Sequence, residues 1–236
     1  MKNFQQDEQE LLHKESSILT ATLQRRSFLQ YAGAGAAGVA LMAAGCKKDS
    51  GESGVLGLDL GSGDVGILNY AYALEHLEAA FYTFVVQNPY SGIAASELSL
   101  LTDIRDHEIA HREFFKTALG TNAIPALVVN FSSINFNDRT NVLSVAKAFE
   151  DLGVSAYNGA GKLIKTADYL VLAGKIVSVE ARHAALIRDL ITNGTFADST
   201  VVDVNGLDAA RAPKDVLTIA QTFLQTKING SNLPTA

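Results

Sequence analysis

Glu180-Ala181-Arg182-His183 lies in a run, Ala167 to Asn193, whose apolar spacing predicts a helix. Three residues apart, Glu180 and His183 share one face of it. On a helical wheel, Ala173, Ile176, Ala184, Ile187 and Ile191 surround Glu180. The carboxylate therefore falls inside an apolar stripe, where an unpaired charge is costly. Either the helix register differs or something cationic sits opposite.

The pattern recurs along the chain. Leu74-Glu75-His-Leu77-Glu-Ala-Ala-Phe-Tyr82 aligns without a gap to Phe149-Glu150-Asp-Leu152-Gly-Val-Ser-Ala-Tyr157. Ile104-Arg-Asp-His-Glu108-Ile-Ala-His111 aligns to Ile176-Val-Ser-Val-Glu180-Ala-Arg-His183. The chain thus contains two similar halves, each with one lone Glu and one Glu-x-x-His. Helices are predicted over Asp64–Gln87, from Ser96 to the residue before Gly120, over Asp138–Ala160, and from Ala167 to a C-cap at Gly194. Asp64 and Ser96 are the expected N-caps of the first two. A long crossover, Gly120 to Asn137, joins the halves; it holds Pro125 and a β-leaning run, Leu127 to Phe131. A short fifth helix is expected from Pro213 to about Lys227. On their wheels Glu75 is flanked by Leu68, Ala71 and Tyr82, Glu108 by Ile104 and Phe115, and Glu150 by Ala146 and Tyr157. Each helix of an all-α, four-helix bundle then points one glutamate into its apolar seam.

Four such carboxylates would hardly ionise together, because like charges raise one another's pKa. Two divalent cations balance four negative charges, and two neutral imidazoles add a nitrogen ligand to each without changing the sum. Oxygen and nitrogen donors without thiolate suit iron or manganese, and zinc less specifically. A Glu from each of two helices with a Glu-x-x-His from each of the other two is the arrangement of di-iron and di-manganese carboxylate bundles.

On these residues the chain resembles the ferritin-like superfamily, and within it the exported bacterial ferritin-like domains similar to plant desiccation-related proteins. The resemblance covers about residues 64–193. It implies a ferritin-like fold with two iron ions, manganese being the alternative. Glu75, Glu108 and His111 would hold one side, and Glu150, Glu180 and His183 the other, with Glu108 and Glu180 bridging. Glu78, whose counterpart is Gly153, is an alternative ligand. Tyr82 and Tyr157 are core residues whose hydroxyls need a partner, which a ligand carboxylate one or two turns away would supply. His76 and His107 adjoin ligands in sequence and so point elsewhere, to the surface or to a layer behind the site. Asp106 and Arg182 are a candidate ion pair near it. Asp168 favours the dipole of the fourth helix.

The 236 residues are 47% hydrophobic and 19% charged, as in globular proteins. The net charge of −6 belongs wholly to residues 47–236, because the first 46 carry four basic and four acidic side chains. A mildly acidic body argues against a nucleic-acid partner. Cys46 is the only cysteine, which excludes an intramolecular disulfide and a thiolate metal cluster. Arg25-Arg26-Ser-Phe-Leu-Gln30 and the Ala/Gly-rich run after it resemble a twin-arginine export signal. The run ends in Ala43-Ala-Gly-Cys46, similar to a lipobox, although Ala43 stands where that pattern prefers Leu. The alternative is an ordinary signal with an incidental cysteine. Residues 1–46 thus read as a signal, 47–63 as a flexible tether, 64–194 as the bundle, and 195–236 as a linker and C-terminal helix. The expected protein is exported to the periplasm or cell envelope, lipid-anchored at Cys46, and oxidises Fe(II) or reduces dioxygen or peroxide. The alternative is a non-catalytic envelope or stress-protective protein with a structural metal site. A closed storage cage fits poorly with an anchor and tether.

Overall fold

The fold is described from a computed structural model over residues 57–235. The twin-arginine stretch, Cys46 and most of the tether lie outside the described residues. The elements are β1 (Leu58–Asp59), α1 (Gly63–Gln87), α2 (Ala95–Leu119), α3 (Arg139–Gly161), α4 (Ala167–Ile191), α5 (Pro213–Ala220) and β2 (Ile228–Asn229). α1 packs along α2, α3 packs along α4, and α1 meets α3. This is the predicted all-α bundle, with its crossover between the second and third helices and its short fifth helix.

Burial separates the helices into two kinds. α1 is buried all round from Gly66 to Glu75, and α3 from Leu152 to Tyr157. Among the buried residues of α2 are only Leu101, Ile104, Glu108, Phe115 and Leu119, a single stripe. α4 likewise buries one face, Ile176, Glu180, His183, Ala184, Ile187 and Arg188. A helix apolar all round belongs inside, and one with a stripe covers it. Arg188 crosses from α4 to Asp151 on α3 with a two-pronged ion pair, at 2.9 and 2.6 Å.

The helix starts differ from expectation in an informative way. Asp138, expected as the first residue of the third helix, is instead its N-cap, accepting from the Thr140 and Asn141 amides. Asp64 does not cap its own helix, which starts one residue earlier, after Ser62. Its carboxylate accepts instead from the Lys165 and Thr166 amides, at 2.9 and 2.8 Å, and so holds the turn that leads into α4. α2 starts after Ala94, without a side-chain cap from Ser96. α4 ends at Ile191, and Gly194 follows with φ +86, its amide donating to Asp189.

The crossover and the tail are packing elements. Asn69, buried in α1, donates to the Leu60 and Asn122 carbonyls and accepts from the Ile124 amide. One side chain thus ties the chain before α1 and the start of the crossover to the inner helix. Further on, Phe131 and Phe136 lie 6.1 and 5.9 Å from Phe81. The β-leaning run contributes one antiparallel bridge, Val129 to Leu224. The fifth helix stops at Ala220 rather than near Lys227, and a 3₁₀ turn leads to β2. β2 pairs in parallel with β1, Leu58 with Ile228 and Asp59 with Asn229. Leu58–Leu60, placed by composition in the flexible tether, is therefore part of the fold, with Leu60 fully buried. Before α5 the chain crosses α3 so closely that a Cβ at Gly159 would lie 1.7 Å from the Arg211 carbonyl oxygen. No helix among the described residues is long and apolar enough to cross a membrane.

Asn69→Ala removes three hydrogen bonds and strands their buried partners. It should cost roughly 2–4 kcal/mol, since each orphaned buried group costs about 1–3 kcal/mol. Urea unfolding should show a lower midpoint with an unchanged slope.

Candidate metal centre

The four seam glutamates converge. Glu75, Glu108, Glu150 and Glu180 are all 0% exposed, each from a different helix. Two sets of groups that could hold a metal ion result: Glu75, Glu108, His111 and Glu180, and Glu108, Glu150, Glu180 and His183. Within each set the donor atoms lie within 4.8 Å of one another. All six residues singled out by spacing are thus brought together, and Glu108 and Glu180 belong to both sets.

The atoms show how the two glutamates are shared. His111 Nδ1 lies 2.8 Å from Glu180 Oε1, 3.4 Å from Glu75 Oε2 and 3.5 Å from Glu108 Oε2. His183 Nδ1 lies 2.8 Å from Glu108 Oε1, 3.6 Å from Glu150 Oε2 and 3.7 Å from Glu180 Oε2. Glu108 and Glu180 each direct one oxygen to either set. Each histidine also stands nearest the glutamate of the other Glu-x-x-His.

These contacts are close, yet they are not directed hydrogen bonds. Glu75 Oε2, both oxygens of Glu108 and Glu180, Glu150 Oε2 and the Nδ1 atoms of His111 and His183 are buried without a hydrogen-bond partner. Buried polar atoms are ordinarily partnered. Eight orphaned donor atoms gathered in two clusters are aimed at common points rather than at each other. The residues therefore fit a metal group of the kind that oxygen and nitrogen donors bind.

The tyrosines behind the ligands are crossed. Tyr82 of α1 donates its hydroxyl to Glu150 Oε1 of α3, and Tyr157 of α3 donates to Glu75 Oε1 of α1. The expected partner a turn or two along the same helix is replaced by one on the facing helix. Each bond occupies one carboxylate oxygen and leaves Oε2 facing inward. Glu78 is buried too, but stands outside both sets. Its Oε1 lies 3.1 Å from where a Cβ on Gly153 would be, and Glu180 Oε2 lies 3.8 Å from the same point. The missing side chain at 153 is what makes room for the Glu78 carboxylate.

The remaining residues divide. His107, exposed on α2, reaches His183 with Nδ1 to Nε2 at 2.8 Å, so it belongs to the layer behind the site. Adjacency in sequence had pointed it away from the ligands; contact with the outer edge of a ligand on another helix is a tertiary fact. His76 is half-buried against Tyr72, with ring centroids 4.3 Å apart. Asp106 and Arg182 do not pair: Asp106 takes Arg105, and Arg182 donates to the Ser178 carbonyl. Asp168 sits in the first turn of α4, as expected.

Without a metal the cluster holds protons. Burial pushes Glu150 up to about 8 from an ordinary 4.5. Burial, then the neighbouring carboxylates, holds Glu75 and Glu78 well above that range. Burial pulls His111 and His183 down, but the surrounding carboxylates outweigh it and raise both from 6.5 to about 12. Glu108, between the two imidazoles, is held down to about 2 against its burial. A raised carboxyl makes the folded state bind more protons than the unfolded one between 4.5 and 8, and the raised histidines do so between 6.5 and 12. Both therefore lose stability as pH rises. In chelator, the melting temperature should fall steadily from about pH 5 to pH 9. Glu150→Gln should flatten the part of that fall below about pH 8, as read by circular dichroism.

Comparison with curated proteins returns no match. A family model, the ferritin-like domain, matches residues 63–193, which span all four helices and every residue of both clusters. With more than half of the chain so matched, the protein belongs to the ferritin-like domain family.

Proposed function

We propose that this protein holds two metal ions, iron in the first instance, and uses them to oxidise Fe(II) or to reduce dioxygen or peroxide. The observation that carries this is the division of Glu108 and Glu180, one oxygen to each donor set. In this reading Glu75 and His111 complete one position, and Glu150 and His183 the other. Manganese suits the same donors. When bound, such metals supply the electron transfers that side chains cannot.

The chain's own residues supply position and surroundings. Tyr82 and Tyr157 anchor the outer oxygens of Glu150 and Glu75, which fixes the inward ones. The histidines present Nδ1 to the carboxylates. Glu78 stands close by as a further carboxylate able to swing toward the ions, because Gly153 leaves it space. An apolar cavity of about 20 Å³, with Leu74, Phe115, Ala156 and Leu172 in its wall, reaches the site through Tyr157, whose hydroxyl holds Glu75. It is roughly large enough for one small molecule, and its lining favours an apolar one such as dioxygen.

The N-terminal sequence motivates the cellular half of the proposal. The Arg25-Arg26 stretch suits export of a folded, metal-loaded domain, and Cys46 suits a lipid anchor at the cell envelope. The narrower likeness to desiccation-related proteins suggests a protective setting.

The full chain, loaded anaerobically, should take up two Fe(II) per chain and consume dioxygen on mixing. Glu108→Ala combined with Glu180→Ala should abolish both. Uptake of two ions without dioxygen or peroxide consumption, together with a large fall in melting temperature on chelation, would assign the metal a structural role. A wild-type chain that binds no metal would sink the proposal.

A further inference from the structure

The two halves differ at two places beside the site, and both differences fall on the same side. His107 and His183 form an in-plane contact. Their ring planes are 15° from parallel with centroids 5.1 Å apart, while Nδ1 and Nε2 are only 2.8 Å apart. The rings thus meet edge to edge, the geometry of a hydrogen bond rather than of stacking. His183 turns Nδ1 to the carboxylates; with Nδ1 as a metal ligand, Nε2 is the nitrogen left to carry the proton, and His107 Nδ1 stands placed to accept it. The residue that corresponds to His107 in the second half is Val179, which has no acceptor to offer His111. The second difference is Glu78, whose counterpart is Gly153. Its carboxylate lies over Gly153, 3.1 Å from where a Cβ there would be, and Glu180 Oε2, the oxygen directed to His183, lies 3.8 Å from the same point. His183 is also the more enclosed imidazole, its side chain 5% exposed against 13% for His111.

We infer that the two metal positions are unequal, and that His107 is a positioning residue which makes the His183 position the tighter. This rests on the dinuclear reading above. The physical reason is that a ligand imidazole binds best when its other nitrogen is held by an acceptor. That bond fixes both the tautomer and the ring plane, and losing such a partner typically weakens metal affinity about 10–100-fold. Among the described residues, His183 has such a partner from the protein and His111 does not.

The test is a calorimetric zinc titration of the metal-free full chain and two variants. Wild type should show two steps, the first at least about tenfold tighter. His107→Leu should weaken the first step about 10–100-fold and leave the second unchanged. His107→Asn places Oδ1 where Nδ1 stood, and should stay within about threefold of wild type. Both variants should stay folded: His107→Asn should keep the wild-type melting temperature, and His107→Leu should lower it only by the one hydrogen bond it removes. Independently of any variant, a nitrogen-15 spectrum of the zinc-loaded wild type should show His183 protonated on Nε2. Two equal steps in wild type, or a Leu variant with both steps unchanged or equally weakened, would overturn the inference while leaving the dinuclear site standing. Absence of zinc uptake by wild type would overturn both.

Discussion

Four glutamates buried at one point are the constraint on which this structure depends. Each is fully removed from water, and each repels the others. A domain is stable by only about 5–15 kcal/mol, so such a cluster is tolerated only with compensating positive charge. In this chain protons or metal ions can supply it. The imidazoles of His111 and His183 stand ready for either, as bare Nδ1 donors toward a metal or as imidazolium ions among carboxylates. Much of the surrounding architecture serves to keep the four carboxylates in register. The inner helices α1 and α3 carry the lone glutamates and are packed on all sides. The covering helices α2 and α4 carry the Glu-x-x-His pairs on their single buried stripe.

The halves are related as interlocked copies rather than as independent hairpins. Each tyrosine anchors the glutamate of the opposite half, and each histidine lies nearest the glutamate of the opposite motif. Neither hairpin can form its donor set alone. The crossover and the C-terminal tail are fastened to the inner helices at points away from the donors, through Asn69, the Phe81 cluster and the close pass at Gly159. This leaves α2 and α4 as the outer wall beside the clusters. The departures from symmetry, His107 opposite Val179 and Glu78 opposite Gly153, are where the two metal positions can differ in chemistry.

The bundle and its centre were legible in the sequence because their information is local. Apolar periodicity marks a seam within one helix, and a glutamate inside that seam is visible without knowing what faces it. Repetition of the same placement in four helices then points to a shared site. What was hidden depends on neighbours distant in sequence. Asp64 has the composition of a cap, but what it binds follows from the turn before α4 that lies beside it. Tyr82 and Tyr157 needed partners, yet only packing shows that those partners lie across the bundle. Leu58–Leu60 looked like tether because Gly and Ser surround it, and it became structure by pairing with a strand far along the chain. Gly153 reads as an unfavourable helix residue until the Glu78 carboxylate is found in the space it leaves.

The central claim is that metal ions neutralise the four buried carboxylates. Anomalous X-ray diffraction from crystals of the full chain, purified from its native cells without added metal, tests it most directly. The account predicts two anomalous peaks, one among Glu75, Glu108, His111 and Glu180 and one among Glu108, Glu150, Glu180 and His183. Crystals with no peak at either point, and with the Nδ1 atoms of His111 and His183 hydrogen-bonded to the carboxylates instead, would contradict it.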